Sequence, residues 1–202
     1  QSGFQVIGSA LTRSRGMEYG EIVSMPETER AIRTALQSAQ KLANSRVDHV
    51  IACISGGSPR SYGLEGTVDI KTGIVDDNDI ADVLGSCGIP AYGSDREVLH
   101  AQPVNFSLDH RTGLSDPRGQ IGKKLSVDMH MLTVKEKTIH DLAYCLKRCD
   151  LELAGVASAS YASALSSLVE DEKELGAACI DLGGGSTNLA IFWKKHMMFA
   201  ET

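Results

Sequence analysis

The chain has 202 residues, 42% of them hydrophobic and 23% charged, with 20 glycines and a formal net charge of -6. That length buries a core of one or two domains, and the acidic balance excludes a nucleic-acid surface, which needs an excess of Lys and Arg. Five cysteines at irregular spacing are an odd number set in apolar segments, so a reducing cytoplasm is expected rather than a disulfide framework. No apolar run approaches the ~20 residues that cross a bilayer.

In chain order, Gln1 to Gly8 reads as the middle of a strand, and Met198 to Thr202 stops without a cap, so both ends are expected to be truncations. Ser24-Met25-Pro26-Glu27 has the form of a capping box and predicts a helix start. Ile32, Ala35, Leu36, Ala39, Leu42 and Ala43 follow as one apolar stripe. Val47 to Ser55 holds the unbroken apolar run Val50 to Ile54, which predicts a strand buried on both faces of an α/β layer.

After Gly56-Gly57-Ser58-Pro59 the pattern changes to short strands around Tyr62 to Ile70, Val98 to Leu108 and Leu125 to Val134, with a helix from Asp77 to Ser86. In the last strand Leu125, Val127, Met129 and Met131 alternate with Ser126, Asp128, His130 and Leu132, which predicts a half-exposed sheet. Turn chemistry at Asp109 to Gly113 and at Asp116 to Gly119 separates these strands. A small α+β unit is therefore expected inside an α/β domain, dividing the chain into residues 1–57, 58–134 and 135–202. Helical periodicity returns at Ile139, Leu142, Ala143, Leu146 and Cys149, and an Ala/Ser-rich helix is expected at about Ala157 to Leu168.

The residues with chemistry lie near the end. The strand Ala177 to Ile180 delivers Asp181 and then Gly183, Gly184, Gly185, Ser186, Thr187 and Asn188. Three glycines permit positive φ and remove side chains, so backbone amides converge on an anion such as a phosphate. In a P-loop or Rossmann turn the glycines open a helix, whereas here Leu189 to Trp193 is β-prone, so they sit at a hairpin tip. Asp181 is placed to hold Mg²⁺ directly or through water, with Ser186 and Thr187 adding hydroxyls to a terminal phosphate. A bare flexible hairpin with Asp181 as a turn acceptor is the plainer reading of the same residues.

Other candidates reduce to packing. Cys145 and Cys149 lack further metal ligands, His100 and His130 read as surface or partly buried imidazoles, and Asp76 to Asp79 reads as a helix cap rather than a calcium loop. No catalytic set emerges from spacing.

Ile180 to Thr187 resembles the second phosphate motif of the actin, Hsp70 and sugar-kinase superfamily. Ser14-Arg15-Gly16-Met17, Ile54 to Gly57, His100 to Pro103, Phe106 to Asp109, Gly113, Asp116 to Gly119, Leu146 to Cys149 and Glu170 to Gly176 resemble the FtsA family in order. The resemblance implies an α/β, actin-like subdomain 1A with an inserted α+β, SHS2-type subdomain 1C. It implies a cell-division adaptor that binds ATP and Mg²⁺ through Asp181, Gly183, Gly184, Gly185, Ser186, Thr187 and Asn188, with Asp181 on the metal. It further implies self-association through subdomain 1C, other divisome proteins as partners, and a place on the cytoplasmic face of the inner membrane. FtsZ and the membrane are engaged in that family through regions the resemblance puts outside this chain, as are the first phosphate loop and the adenosine motif. Ser186 and Asn188 stand where many superfamily members have Thr and Asp, which implies a nucleotide switch with at most weak ATPase activity. A PilM-like scaffold of type IV pilus assembly and an ATPase or phosphotransferase are the alternatives on the same architecture.

Overall fold

The computed structural model describes residues 5–202. Of the strand expected at the start, residues 1–4 lie outside the described residues, and residues 5–15 carry no helix or strand. The first regular elements are instead a minimal hairpin, β1 (Met17–Glu18) and β2 (Glu21–Ile22). Its two-residue turn, Tyr19-Gly20, has φ of 50° and 75° at both positions, the type I′ geometry that matches the twist of paired strands.

Helix α1 (Met25–Ala43) begins where the sequence predicts, but not by a capping box, because the Ser24 side chain makes no capping bond. The Ser24 amide that Glu27 would satisfy already donates to the carbonyl of Gly16 at 3.0 Å. Pro26 in the first turn and a left-handed Asn44 at the end set the helix limits. Ile32 and Leu36 pack on a core of Leu146, Cys149 and Leu151, whereas Leu42 at the end of the expected stripe is 67% exposed.

Strand β3 (His49–Ile54) pairs in parallel with β8 (Glu152–Ser158), a strand the sequence reading missed because Ala154, Gly155 and Ala157 give little β signal. The expectation that β3 is buried on both faces fails: Ile51 is 75% exposed and Cys53 is exposed. Helices α1 and α3 (Glu136–Arg148) supply the apolar cluster under Val50, and the opposite face of β3 has no such cover among the described residues.

Between β3 and α3 lies the insert, a four-stranded antiparallel sheet in the order β4 (Arg60–Asp69), β7 (Lys124–Lys135), β5 (Arg96–Leu108), β6 (Arg111–Leu114). β4 and β7 pair without interruption from Arg60↔Thr133 to Asp69↔Lys124. The β5–β7 register shifts near Pro103, which cannot donate to the ladder. β6 occupies part of the expected turn: Asp109 turns the chain at φ 54° while its carboxylate accepts from the Lys123 and Lys124 amides at 3.0 and 2.9 Å. Helix α2 (Asp77–Gly85) closes the core with Ile80 and Val83 over Phe106, Leu108, Leu125 and Val127. Asp76 caps it, accepting from the Asn78 and Asp79 amides at 2.8 and 3.0 Å.

The chain then runs through β8, α4 (Ala159–Ser167), α5 (Glu170–Leu175) and a meander of β9 (Ala177–Leu182), β10 (Thr187–Trp193) and β11 (His196–Glu201). This meander corrects the half-exposed insert sheet. Ser126 and Asp128 do face outward, but His130 and Leu132 are 3% and 0% exposed, because α4, β10 and β11 cover that end with Ala164, Phe192, Met197 and Ala200. Ser61 on β4 ties the two parts: its hydroxyl accepts from the Ala200 amide and donates to the Ala200 carbonyl, both at 2.9 Å.

Candidate functional site

Strand alternation along β9 decides which residues reach the site. Ile180 and Leu182 turn outward, and Asp181 turns inward opposite its cross-strand partner Asn188. The β9–β10 tip is closed by the Gly183 amide donating to the Ser186 carbonyl at 2.9 Å. None of Gly183, Gly184 and Gly185 has positive φ, so the expected conformational role of these glycines is corrected to a steric one. A Cβ on Gly184 would meet nothing within 4 Å, so its backbone borders open space. A Cβ on Gly185 would lie 3.7 Å from the Tyr19 amide nitrogen, which brings the two hairpin tips side by side.

Between these tips is a cavity of about 780 Å³. Asp181, Gly183, Gly184, Gly185, Ser186 and Asn188 form one wall, and Met17, Glu18, Tyr19 and Gly20 the other. Ser55 and Ala159, at the ends of β3 and β8, form the floor. The β1–β2 tip is seated by a glycine contact: a Cβ on Gly20 would lie 2.5 Å from the Gly56 nitrogen, and one on Gly56 would lie 2.4 Å from the Gly20 oxygen. Thr187 lines an adjoining cavity of about 380 Å³, so it does not share the first cavity with Asp181. The sequence reading missed Glu18, Tyr19, Gly20 and Ser55 as wall residues. The Tyr19-Gly20 turn and the Gly16/Gly20 pair were the available signals.

Asp181 accepts from the Ser163 hydroxyl at 2.9 Å, which orients its carboxylate from α4. Asn188 is 3% exposed and accepts from the Thr202 hydroxyl through its side-chain oxygen at 2.8 Å, which anchors it in the packing beside β11. Neither cavity is lined by Lys or Arg, and Glu18 adds a second carboxylate. A polyphosphate in the larger cavity therefore needs a cation with it. The donors fit Mg²⁺, which takes one or two protein carboxylates and completes its octahedron with water and phosphate oxygens. Among the described residues, three metal-type donors converge elsewhere, at Glu97, Glu136 and His140, and not at Asp181.

The remaining candidates are buried or half-buried packing groups. Cys145 and Cys149 are 0% and 2% exposed, and burial raises both thiols, Cys145 to about 11, which keeps them protonated and inert. His100 Nε2 accepts from the Ser158 amide at 3.0 Å, and burial lowers its pKa. His130, expected as a surface or partly buried imidazole, has both ring nitrogens buried without a partner, and burial followed by the nearby His100 lowers it to about 4.

A body of one parallel strand pair and an antiparallel meander, interrupted by an α+β insert and with a strand-glycine-strand tip bordering a polar cleft, defines an actin-like fold carrying an inserted SHS2-type subdomain. The family model for the SHS2 domain inserted in FTSA matches residues 56–133. The cell division protein FtsA of Rhizobium meliloti is 36% identical over 98% of this chain and 45% of its own length. Those of Pseudomonas aeruginosa and Escherichia coli are 34% and 26% identical, each over 93% of this chain and 45% and 44% of their own. The chain belongs to the FtsA family of cell division proteins. It spans less than half the length of these curated relatives. A chain of a PilM-PilN type IV pilus biogenesis complex has the same fold, with a TM-score of 0.60 over 94% of this chain and 51% of its own, at 13% identity.

Proposed function

We propose that this chain forms one half of the nucleotide cleft of a cell-division adaptor, in which ATP with Mg²⁺ acts as a switch for self-association. Gly184 carries the reading: its backbone faces a cavity of about 780 Å³ with the Asp181 carboxylate in the same wall. Tip amides meet phosphate oxygens, Asp181 holds Mg²⁺ directly or through water, and Ser186 donates a hydroxyl. Asn188, in place of an acid, is an amide that takes no proton from water, so hydrolysis is weak at most. Self-association runs through the insert, other divisome proteins are further partners, and the links to FtsZ and to the cytoplasmic face of the inner membrane run through regions outside these 202 residues. A pilus scaffold rests on likeness of fold at 13% identity, whereas FtsA relatives reach 36%.

Gly184→Asp tests this in a polypeptide of the relatives' full length. The carboxylate enters open space, so the fold stands, but it faces the phosphates. Titration calorimetry with Mg-ATP should show at least ~10-fold weaker binding, with loss of nucleotide-dependent assembly, while Gly184→Ala stays within ~3-fold of wild type. Wild-type affinity and normal assembly in Gly184→Asp would refute the site. The 202-residue chain alone should bind ATP weakly, and sub-micromolar binding would refute the half-site reading.

A further inference from the structure

On the face of α1 away from the β3–β8 pair, Arg13, Arg15 and Arg30 line a cavity of about 340 Å³ together with Thr12, Glu27 and Thr34. Within a chain of net charge -6 this is a local excess of cations, three guanidinium groups against the single carboxylate of Glu27. Among the described residues none of these three arginines has a carboxylate within ion-pair distance, whereas Arg33, Arg46, Arg118 and Arg148 all do. Like charges repel, so three such groups held around one space raise one another's energy unless an anion lies between them. The arrangement calls for an external anion with more than one negative charge, since Glu27 already offsets one of the three cations.

The fold holds the backbone from which two of the three arginines project. Residues 12–15 have no regular structure, yet the segment is strapped to the first turn of α1. Thr28, 2% exposed, donates its hydroxyl toward the carbonyls of Gly16 and Ser24, both at 3.0 Å, with that of Arg15 at 3.4 Å. The amides of Val23 and Ser24 donate to Gly16 at 2.9 and 3.0 Å. Gly16 has φ +78°, and a Cβ there would lie 2.4 Å from the Ser24 oxygen, so only glycine permits this approach. The strap fixes the chain at Arg15 and Gly16 beside the helix, Arg13 lines the same cavity, and Arg30 donates through Nε to the Pro26 carbonyl at 3.1 Å, which leaves its outer nitrogens for a ligand. A guanidinium fork binds carboxylate or phosphate oxygens two at a time, and the further oxygens and charge of a phosphate let one group meet more than one of the three forks.

We propose that Arg13, Arg15 and Arg30 form a binding site for a phosphate-bearing anion, separate from the cleft between the hairpin tips. The shared chemistry is a phosphate group or a pair of them; a soluble polyphosphate and an anionic lipid headgroup are its two sources.

The test uses the 202-residue chain and its Arg13→Gln/Arg15→Gln/Arg30→Gln variant, whose three changes are all on exposed side chains. Arg46→Gln is the control, because it removes one positive charge from an exposed arginine already paired with Asp48. One arm titrates inorganic pyrophosphate at low salt by calorimetry. The other sediments the protein with vesicles of phosphatidylglycerol in phosphatidylcholine and with phosphatidylcholine alone. Binding in either arm that falls at least ~10-fold in the triple variant, is kept by Arg46→Gln and weakens as salt rises supports the site and identifies its source. If wild type binds neither probe, or the triple variant binds as wild type does, the proposal is overturned.

Discussion

Three strands of the insert run 10 to 13 residues whereas β3 and β8 to β11 of the flanking body run 6 or 7, and the two regions also use their apolar residues differently. In the insert, α2 and the sheet bury Val83, Leu108 and Leu125 completely, and the core closes within residues 70–127. In the body, β3 and β9 each bury or half-bury one set of alternate residues and present the other: Ile51, Ile180 and Leu182 are 75%, 62% and 79% exposed. A unit that completes one core of its own can be carried as an insertion, and here the body covers only the other end of its sheet, at Leu132. The body concentrates its irregular features, two hairpin tips and the end of β3, around a cleft instead. Stability and ligand binding should therefore separate in space.

The largest effect belongs to the insert. Leu125→Ala removes a side chain with no exposed surface from the centre of that core and should cost about 2–5 kcal/mol, read as a lower urea midpoint in equilibrium unfolding. A loss under ~1 kcal/mol would mean that the insert core is not the tight unit its burial indicates.

The contrast also explains what the sequence could convey. The insert was legible because its cues are local: a carboxylate cap at Asp76, alternation along Leu125 to Met131, and turn residues at Asp109 and Asp116. The body was less so because its strands are decided by neighbours. β8 is hidden by Ala and Gly, and β3 looks doubly buried from its composition although only one face is covered. At the site, Asp181 to Asn188 announce themselves as a run, while Glu18, Tyr19 and Ser55 join them only through tertiary packing. The Ser24 capping box failed for the same reason, since Gly16, far from Ser24 in local contact terms, already holds the amide concerned.

The second effect lies at the seam between the two regions. His130 has an ordinary pKa of 6.5 and is lowered to about 4 by burial and by His100. Between those values the unfolded imidazole takes up a proton that the folded one refuses. Stability contributed by the neutral ring is thus complete above pH 6.5 and is lost as pH falls toward 4, up to roughly 3 kcal/mol. Urea midpoints at pH 7 and pH 5 should differ less in His130→Leu than in wild type. A residual slope of the same sign is expected from His100, which burial also lowers. An unchanged slope in His130→Leu would remove His130 from the account and, with it, the view that the meander seals the insert sheet.

The smallest effect is the sharpest test of the contrast. Ile180→Thr keeps a β-branched side chain on β9 and changes only a position that is 62% exposed, so it should shift stability by no more than about 0.5 kcal/mol. Strand alternation puts Ile180 on the face opposite Asp181, so binding of Mg-ATP in the longer polypeptide should stay at the wild-type level. A loss approaching that of Leu125→Ala would show that the outer face of β9 is covered in solution, and β9 would then belong with the insert strands as a buried element. Unchanged stability with impaired nucleotide binding would instead place Ile180 on the cleft side and reverse the facing of β9 on which the position of Asp181 depends.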